Sequence, residues 1–86
     1  MCNEMIKLRK MLNDEGIEWS DVSCLYFLTI NRTHFEHRKY HWSVINGYGT
    51  YGGDEGLLEL MSNAVNGGEP IGYLTAEECM AYVRGE

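Results

Sequence analysis

Residues 24–46, CLYFLTINRTHFEHRKYHWSVIN, decide the fold because they are rich in β-branched and aromatic residues and contain no proline. Polar and apolar residues alternate over much of the second half, which is the pattern of a strand that buries one face. The stretch therefore predicts an antiparallel sheet.

A two-residue turn at Arg38-Lys39 sets the expected pairing within this stretch. It predicts the cross-strand pairs Phe35–Trp42, Thr33–Val44 and His37–Tyr40 on one face. The other face then carries Arg32, His34, Glu36, His41, Ser43 and Ile45. Since Arg-Lys is not the Asn-Gly pair that a tight hairpin prefers, a register one residue away, with the two faces exchanged, stays open.

The N-terminal segment has the apolar spacing of an amphipathic helix. Its apolar stripe consists of Met1, Met5, Leu8 and Leu12. Gly16 can adopt the left-handed conformation just past the last turn, which would pack Ile17 on Leu12 in a Schellman motif. We expect this helix to end near Glu15.

The C-terminal half predicts two more helices with a short strand between them. The apolar positions of the second helix are Leu57, Leu58, Met61, Ala64 and Val65. Asp54 is its candidate N-cap, and Asn66-Gly67-Gly68 supplies its stop. A strand at Ile71 to Leu74 follows, and then Thr75 and Glu78 form a capping box that begins the third helix.

These elements predict one α+β domain over residues 1–86. We expect an antiparallel sheet of about three strands with three helices, in the order α-β-β-α-β-α, and a possible extra strand at Ile17 to Trp19. A chain of 86 residues buries a small core, so its stability should be marginal. Association into a homo-oligomer would supplement that stability.

Charge is distributed unevenly along the chain. The net charge is -6, and residues 54–86 carry seven acidic groups and one basic group. This disfavours nucleic acid as a partner, because binding phosphates requires clustered Lys and Arg. It favours a partner protein with a basic surface. The candidate partner-binding residues are the acidic Asp54, Glu55, Glu59, Glu69, Glu77 and Glu78, with Tyr48, Tyr51 and Trp42 as aromatic anchors.

The segment Gly47-Tyr48-Gly49-Thr50-Tyr51-Gly52 matches the G-x-G-x-x-G pattern of dinucleotide-binding loops. Asp54 and Glu55 would occupy the N-terminus of the predicted helix and repel a pyrophosphate there. A protein interface, a structural loop and a nucleotide site all stay open for this segment. The residues of the nucleotide alternative are Arg32, His34, Gly47, Tyr48, Gly49, Thr50 and Tyr51.

His34, Glu36 and His41 share one face of the expected hairpin, and two histidines with a carboxylate can bind zinc or iron. All three come from one hairpin and Arg32 and Arg38 lie nearby, so surface histidines paired with Glu36 explain the pattern better. We expect no metal and no cofactor. Since no Ser or Cys occupies a nucleophile motif either, we expect a protein that is not an enzyme.

Three cysteines, Cys2, Cys24 and Cys79, lack C-x-x-C spacing and are expected to be reduced core residues. No basic segment followed by an apolar run begins the sequence. The longest apolar-rich stretch, Cys24 to Ile30, is too short to span a bilayer. These features predict a cytoplasmic protein.

Four segments, Arg32–Glu36, Trp42–Gly53, Gly56–Met61 and Asn66–Gly72, resemble small uncharacterised proteins encoded by phages and prophages of gut Firmicutes. With the first helix included, the resemblance covers nearly the whole chain. These relatives often carry a glycine where this chain has Lys39. The resemblance implies a context in which small acidic accessory proteins block host defence by binding.

Three functions follow from these features. The leading hypothesis is a non-enzymatic inhibitor of the anti-CRISPR type, which acts in the cytoplasm of the host bacterium by binding a basic site on a host immune protein. The alternative is a sponge that sequesters an immune signalling nucleotide at an oligomer interface. The third is a metal-dependent hydrolase built on His34, Glu36 and His41.

Overall fold

The computed structural model of the protein describes residues 1–25 and 29–86, and the side chains of Cys24 and Leu25 lie outside that description. Two 3-10 turns, Gly53–Glu55 and Asn66–Gly68, lie within the loops that connect the strands. Within the described ranges the helices and strands are α1 (Asn3–Asp14), β1 (Trp19–Asp21), β2 (Cys24–Leu25), β3 (Thr29–His37), β4 (Tyr40–Gly47), β5 (Leu58–Ser62), β6 (Ile71–Leu74) and α2 (Ala76–Arg84).

The strands form an antiparallel sheet in the order β1-β3-β4-β5-β6, with β2 also pairing with β3. Both helices pack on one face of this sheet, where they share a core with alternate residues of the strands. We call the opposite face, which carries His34, His41 and Met61, the outer face. The chain is therefore an α+β domain of two layers.

The predicted composition of about three strands and three helices is wrong, and so is the order α-β-β-α-β-α. The residues expected to form the second helix instead form β5, whose Leu58 and Leu60 alternate into the core. A short apolar run fits a helix or a strand equally well, and pairing with β4 decides between them. The possible strand at Ile17 to Trp19 begins two residues later, as β1.

The predicted hairpin register is confirmed for the described residues, which exclude positions 26–28 of the predicted sheet. Phe35 pairs with Trp42 and Thr33 with Val44. Both turn residues have left-handed backbones, with φ 54° at Arg38 and 69° at the next residue. This is the geometry of a type I′ turn, whose twist matches that of the flanking strands.

The end of α1 and the start of α2 are as their sequences predict. The Ile17 N–H donates to the Leu12 carbonyl at 2.9 Å and the Gly16 N–H donates to Asn13 at 3.1 Å, which is the Schellman pattern. The Thr75 hydroxyl and the Glu78 side chain form the predicted capping box of α2.

A buried arginine, which the sequence did not reveal, joins α1 to the sheet. The Arg9 Nε donates to the Thr33 hydroxyl at 2.8 Å, and its Nη1 lies 3.3 Å from the Asp21 carboxylate. Its guanidinium also lies 4.6 Å from the centre of the Trp19 ring. Because the charge is paired and hydrogen-bonded, its burial is tolerated and fixes β1 against α1.

Cys79 and Cys2, whose side chains are described, lie in or against the core as expected. Cys79 is fully buried, and this burial raises its thiol pKa to about 12. Cys2 is half-buried and packs against the core, whereas the side chain of Cys24 lies outside the described residues. In the described part of the chain, neither helix has the length and apolarity needed to cross a membrane.

The left-handed backbone at Lys39 predicts the effect of a glycine there. Lys39→Gly should raise the free energy of unfolding by about 0.5–1 kcal/mol, since glycine adopts positive φ without a Cβ clash. Urea unfolding measures the change. Lys10→Gly, in the exposed middle of α1, is the control and should lower the free energy of unfolding by about 1 kcal/mol. A loss of stability in Lys39→Gly would contradict the turn geometry.

Candidate functional site

The two ends of the sheet carry different chemistry. At one end β4 passes to β5 and β6 leads into α2, and we call this the loop end. At the other end lie the Arg38-Lys39 turn and the connection from β5 to β6, and we call this the hairpin end. Both helices begin at the loop end, because the Ala76 N–H in α2 donates to the Glu4 carboxylate of α1 at 2.8 Å.

The glycine loop, residues 48–57, is held by its own hydrogen bonds at the loop end. The Thr50 hydroxyl donates to the Gly47 carbonyl at 2.7 Å and accepts from the Gly47 N–H at 3.1 Å. The Tyr51 N–H donates to Glu59 Oε1 at 2.8 Å. Gly47 on β4 and Glu59 on β5 therefore fix the path of the loop, which is an ordered platform.

The close packing of the glycine loop against β6 also depends on two glycines. A Cβ on Gly72 would lie 2.2 Å from the Tyr51 Cβ, and one on Gly52 would lie 2.9 Å from the Tyr73 Cα. The Tyr73 N–H donates to the Tyr51 carbonyl at 3.2 Å. These contacts place the backbone that bears Tyr51 beside the backbone that bears Tyr73.

Three tyrosines at this end are exposed to solvent. Tyr48 is 70% exposed, Tyr51 56% and Tyr73 59%. Tyr73 also has a left-handed backbone, with φ 60°, at an irregularity in the pairing of β5 with β6. A bulky residue rarely adopts this conformation, and such strain is often found at functional sites. The loop end is therefore our candidate binding surface.

Acidic residues lie at the same end of the sheet as these tyrosines. Asp54 and Glu55 lie exposed on the 3-10 turn of the glycine loop. Glu77 and Glu78 are exposed in the first turn of α2, where Glu77 lies 3.4 Å from Lys7 and Glu78 caps the helix. Lys7 also pairs with Glu4, which is the largest cause of its raised pKa. The predicted acidic surface thus gathers in part at the loop end.

Three of the predicted partner-binding residues are placed elsewhere. Glu59 is only 8% exposed, because the glycine loop covers it on the outer face. Trp42 is 2% exposed and stacks on Phe35 in the core, so it is no surface anchor. Glu69 is exposed but follows β5, at the hairpin end. Neither side chain belongs to the exposed surface, because the core buries Trp42 and the glycine loop covers Glu59.

The residues of the nucleotide alternative are less favourably arranged. The strand β5, not a helix, follows the glycine loop, so the loop lacks the helix N-terminus that binds a pyrophosphate. The N–H groups of Gly47, Thr50 and Tyr51 already donate within the protein. Gly49 has φ 82° and serves the turn. Arg32 and His34 lie on the outer face of β3.

The histidine face is as predicted from the register. His41 Nδ1 lies 3.3 Å from Glu36 Oε1, and both side chains are exposed. His34 lies on the same face, opposite Ser43. Within the described ranges, no group of three or more His, Cys, Asp or Glu side chains is positioned to hold a metal ion.

The buried carboxylate beneath the loop predicts a stability effect. Glu59→Ala removes the acceptor of the Tyr51 N–H and should lower the free energy of unfolding by about 1–3 kcal/mol. Glu59→Gln keeps an oxygen acceptor, so its free energy of unfolding should fall less than that of Glu59→Ala. The exposed Glu55→Ala is the control, with an expected change within about 0.5 kcal/mol. Equal results for Glu59→Ala and Glu55→Ala in urea unfolding would show that Glu59 does not hold the loop.

Comparisons with protein-family models, curated proteins and solved structures gave no match to this chain.

Proposed function

We propose that the protein is a non-enzymatic inhibitor that binds a host defence protein through its loop end. The binding surface consists of the exposed tyrosines Tyr48, Tyr51 and Tyr73, with Asp54, Glu55, Glu77 and Glu78 around them. The defence context follows from the resemblance to phage and prophage accessory proteins.

The observation that carries the proposal is the presentation of these tyrosines. Tyrosine supplies a large contact area at a low cost in side-chain entropy, which is why protein interfaces are enriched in it. Here Tyr51 is fixed by Glu59 and Gly72, and Tyr73 is exposed on a strained backbone. A surface ordered before binding loses less entropy when the complex forms.

The charge at the loop end supports a basic partner. Asp54 and Glu55 are exposed, and no ion pair with either carboxylate occurs among the described residues. Such carboxylates attract a basic surface over several ångströms and speed association, and this effect weakens as salt rises. An inhibitor of this kind would occupy a site that its target otherwise uses for an anionic ligand.

A plaque assay tests the proposal. The chain is expressed in bacterial strains whose CRISPR–Cas systems, of several types, target an infecting phage. We expect plaque formation to recover in at least one strain. No recovery across the panel, with the protein expressed and folded, would overturn the anti-CRISPR proposal.

Charge-reversed variants locate the surface. The double variant Asp54→Lys/Glu55→Lys should lose plaque recovery, because it reverses the charge of the glycine loop. Glu18→Lys/Glu69→Lys changes the net charge by the same amount at positions outside the loop end. This variant should still restore plaque formation. Equal losses would mean that total charge matters and the loop end does not.

Tyr73→Gly separates binding from folding. Glycine relieves the left-handed strain at this position, so the variant should unfold at the same or a higher urea concentration. It should nevertheless lose plaque recovery, because the exposed ring is gone. A variant that is as stable as the wild type and fully active would remove Tyr73 from the proposed surface.

A further inference from the structure

The outer face of the sheet carries a pattern of charge that complements itself. Along β3, Arg32, His34 and Glu36 lie on this face, with His34 midway between the opposite charges. Four residues of a strand place Arg32 and Glu36 about 13 Å apart, too far for a contact within one chain. The described part of the chain offers no hydrogen-bond partner to the buried Arg32 Nε.

We propose that two copies of this chain pack their outer faces together around a two-fold axis. The axis runs in the plane of the interface, across the strands, along the row formed by His34, Ser43 and Met61. This operation reverses the strand direction. It places Arg32 of each copy over Glu36 of the other, which gives two equivalent ion pairs.

On the same face a groove of about 440 Å³ opens beside Met61 and Asn63, toward the hairpin end. A second copy packed on this face would cover this groove.

The face is also large enough for a stable dimer. The chain measures 34 × 26 × 19 Å along its principal axes. A typical specific interface buries about 800 Å² on each partner, which a face of this breadth can supply. Met61 is 43% exposed at the β5 end of the row and would be covered. The acidic first turn of α2 belongs to the helical layer on the far side.

Charge-swapped variants test the dimer by sedimentation equilibrium. Arg32→Glu brings two carboxylates together at each of the proposed ion pairs, and Glu36→Arg brings two guanidinium groups together there. Each should raise the dimer dissociation constant about tenfold or more. The double variant Arg32→Glu/Glu36→Arg restores opposite charges and should return the constant to within about threefold of the wild type. Lys10→Glu, on the exposed side of α1, is the control and should leave it unchanged.

Two outcomes would overturn the proposal. One is a wild-type protein that stays monomeric up to its solubility limit. The other is a folded double variant that associates no better than the single variants. Should a variant at Arg32 fail to fold, Met61→Asp tests the same face, because it brings two carboxylates together at the axis; an unchanged dissociation constant would contradict the dimer. None of these substitutions alters the loop-end tyrosines, so the plaque assay tests the proposed inhibition separately.

Discussion

The structure depends on two consecutive left-handed residues, Arg38 and Lys39, that close the hairpin between β3 and β4. A shift of one residue in this register would exchange the faces of both strands and expose Phe35 and Trp42. The turn also joins the two layers, because the Arg38 Nε donates to the Val83 carbonyl at 2.9 Å near the end of α2. One turn therefore sets the core, the outer face and the position of a helix.

Local signals allowed several individual elements of this fold to be predicted, although not the number and order of its strands and helices. The hairpin register, the end of α1 just before Gly16 and the capping box at Thr75 each depend on residues close together in sequence. The segment that became β5 could not be assigned, since its short apolar run fits both structures until β4 pairs with it. The burial of Glu59 was hidden for the same reason, because it depends on a strand assignment and on the loop that folds over it.

The loop end and the outer face differ in how their side chains are held. At the loop end, Glu59 and the small residue Gly72 bring Tyr51 beside β6, and Tyr73 remains exposed although its backbone is strained. Strain that persists in a small domain lowers its stability, and binding is a common reason for such a cost. The outer face instead has regular strand geometry, with polar and apolar side chains in cross-strand rows. These differences suit the loop end to recognising another protein and the sheet face to pairing with its own copy.

The central claim is that the glycine loop is an ordered platform for its tyrosines, and backbone ¹⁵N relaxation measures this most directly. If the Glu59 carboxylate and the packing against Gly72 hold the loop, the amides of Tyr51 and Tyr73 should have order parameters near those of β4, about 0.85. Order parameters below about 0.6 for these amides, with rigid strands beside them, would show a flexible loop and contradict the account.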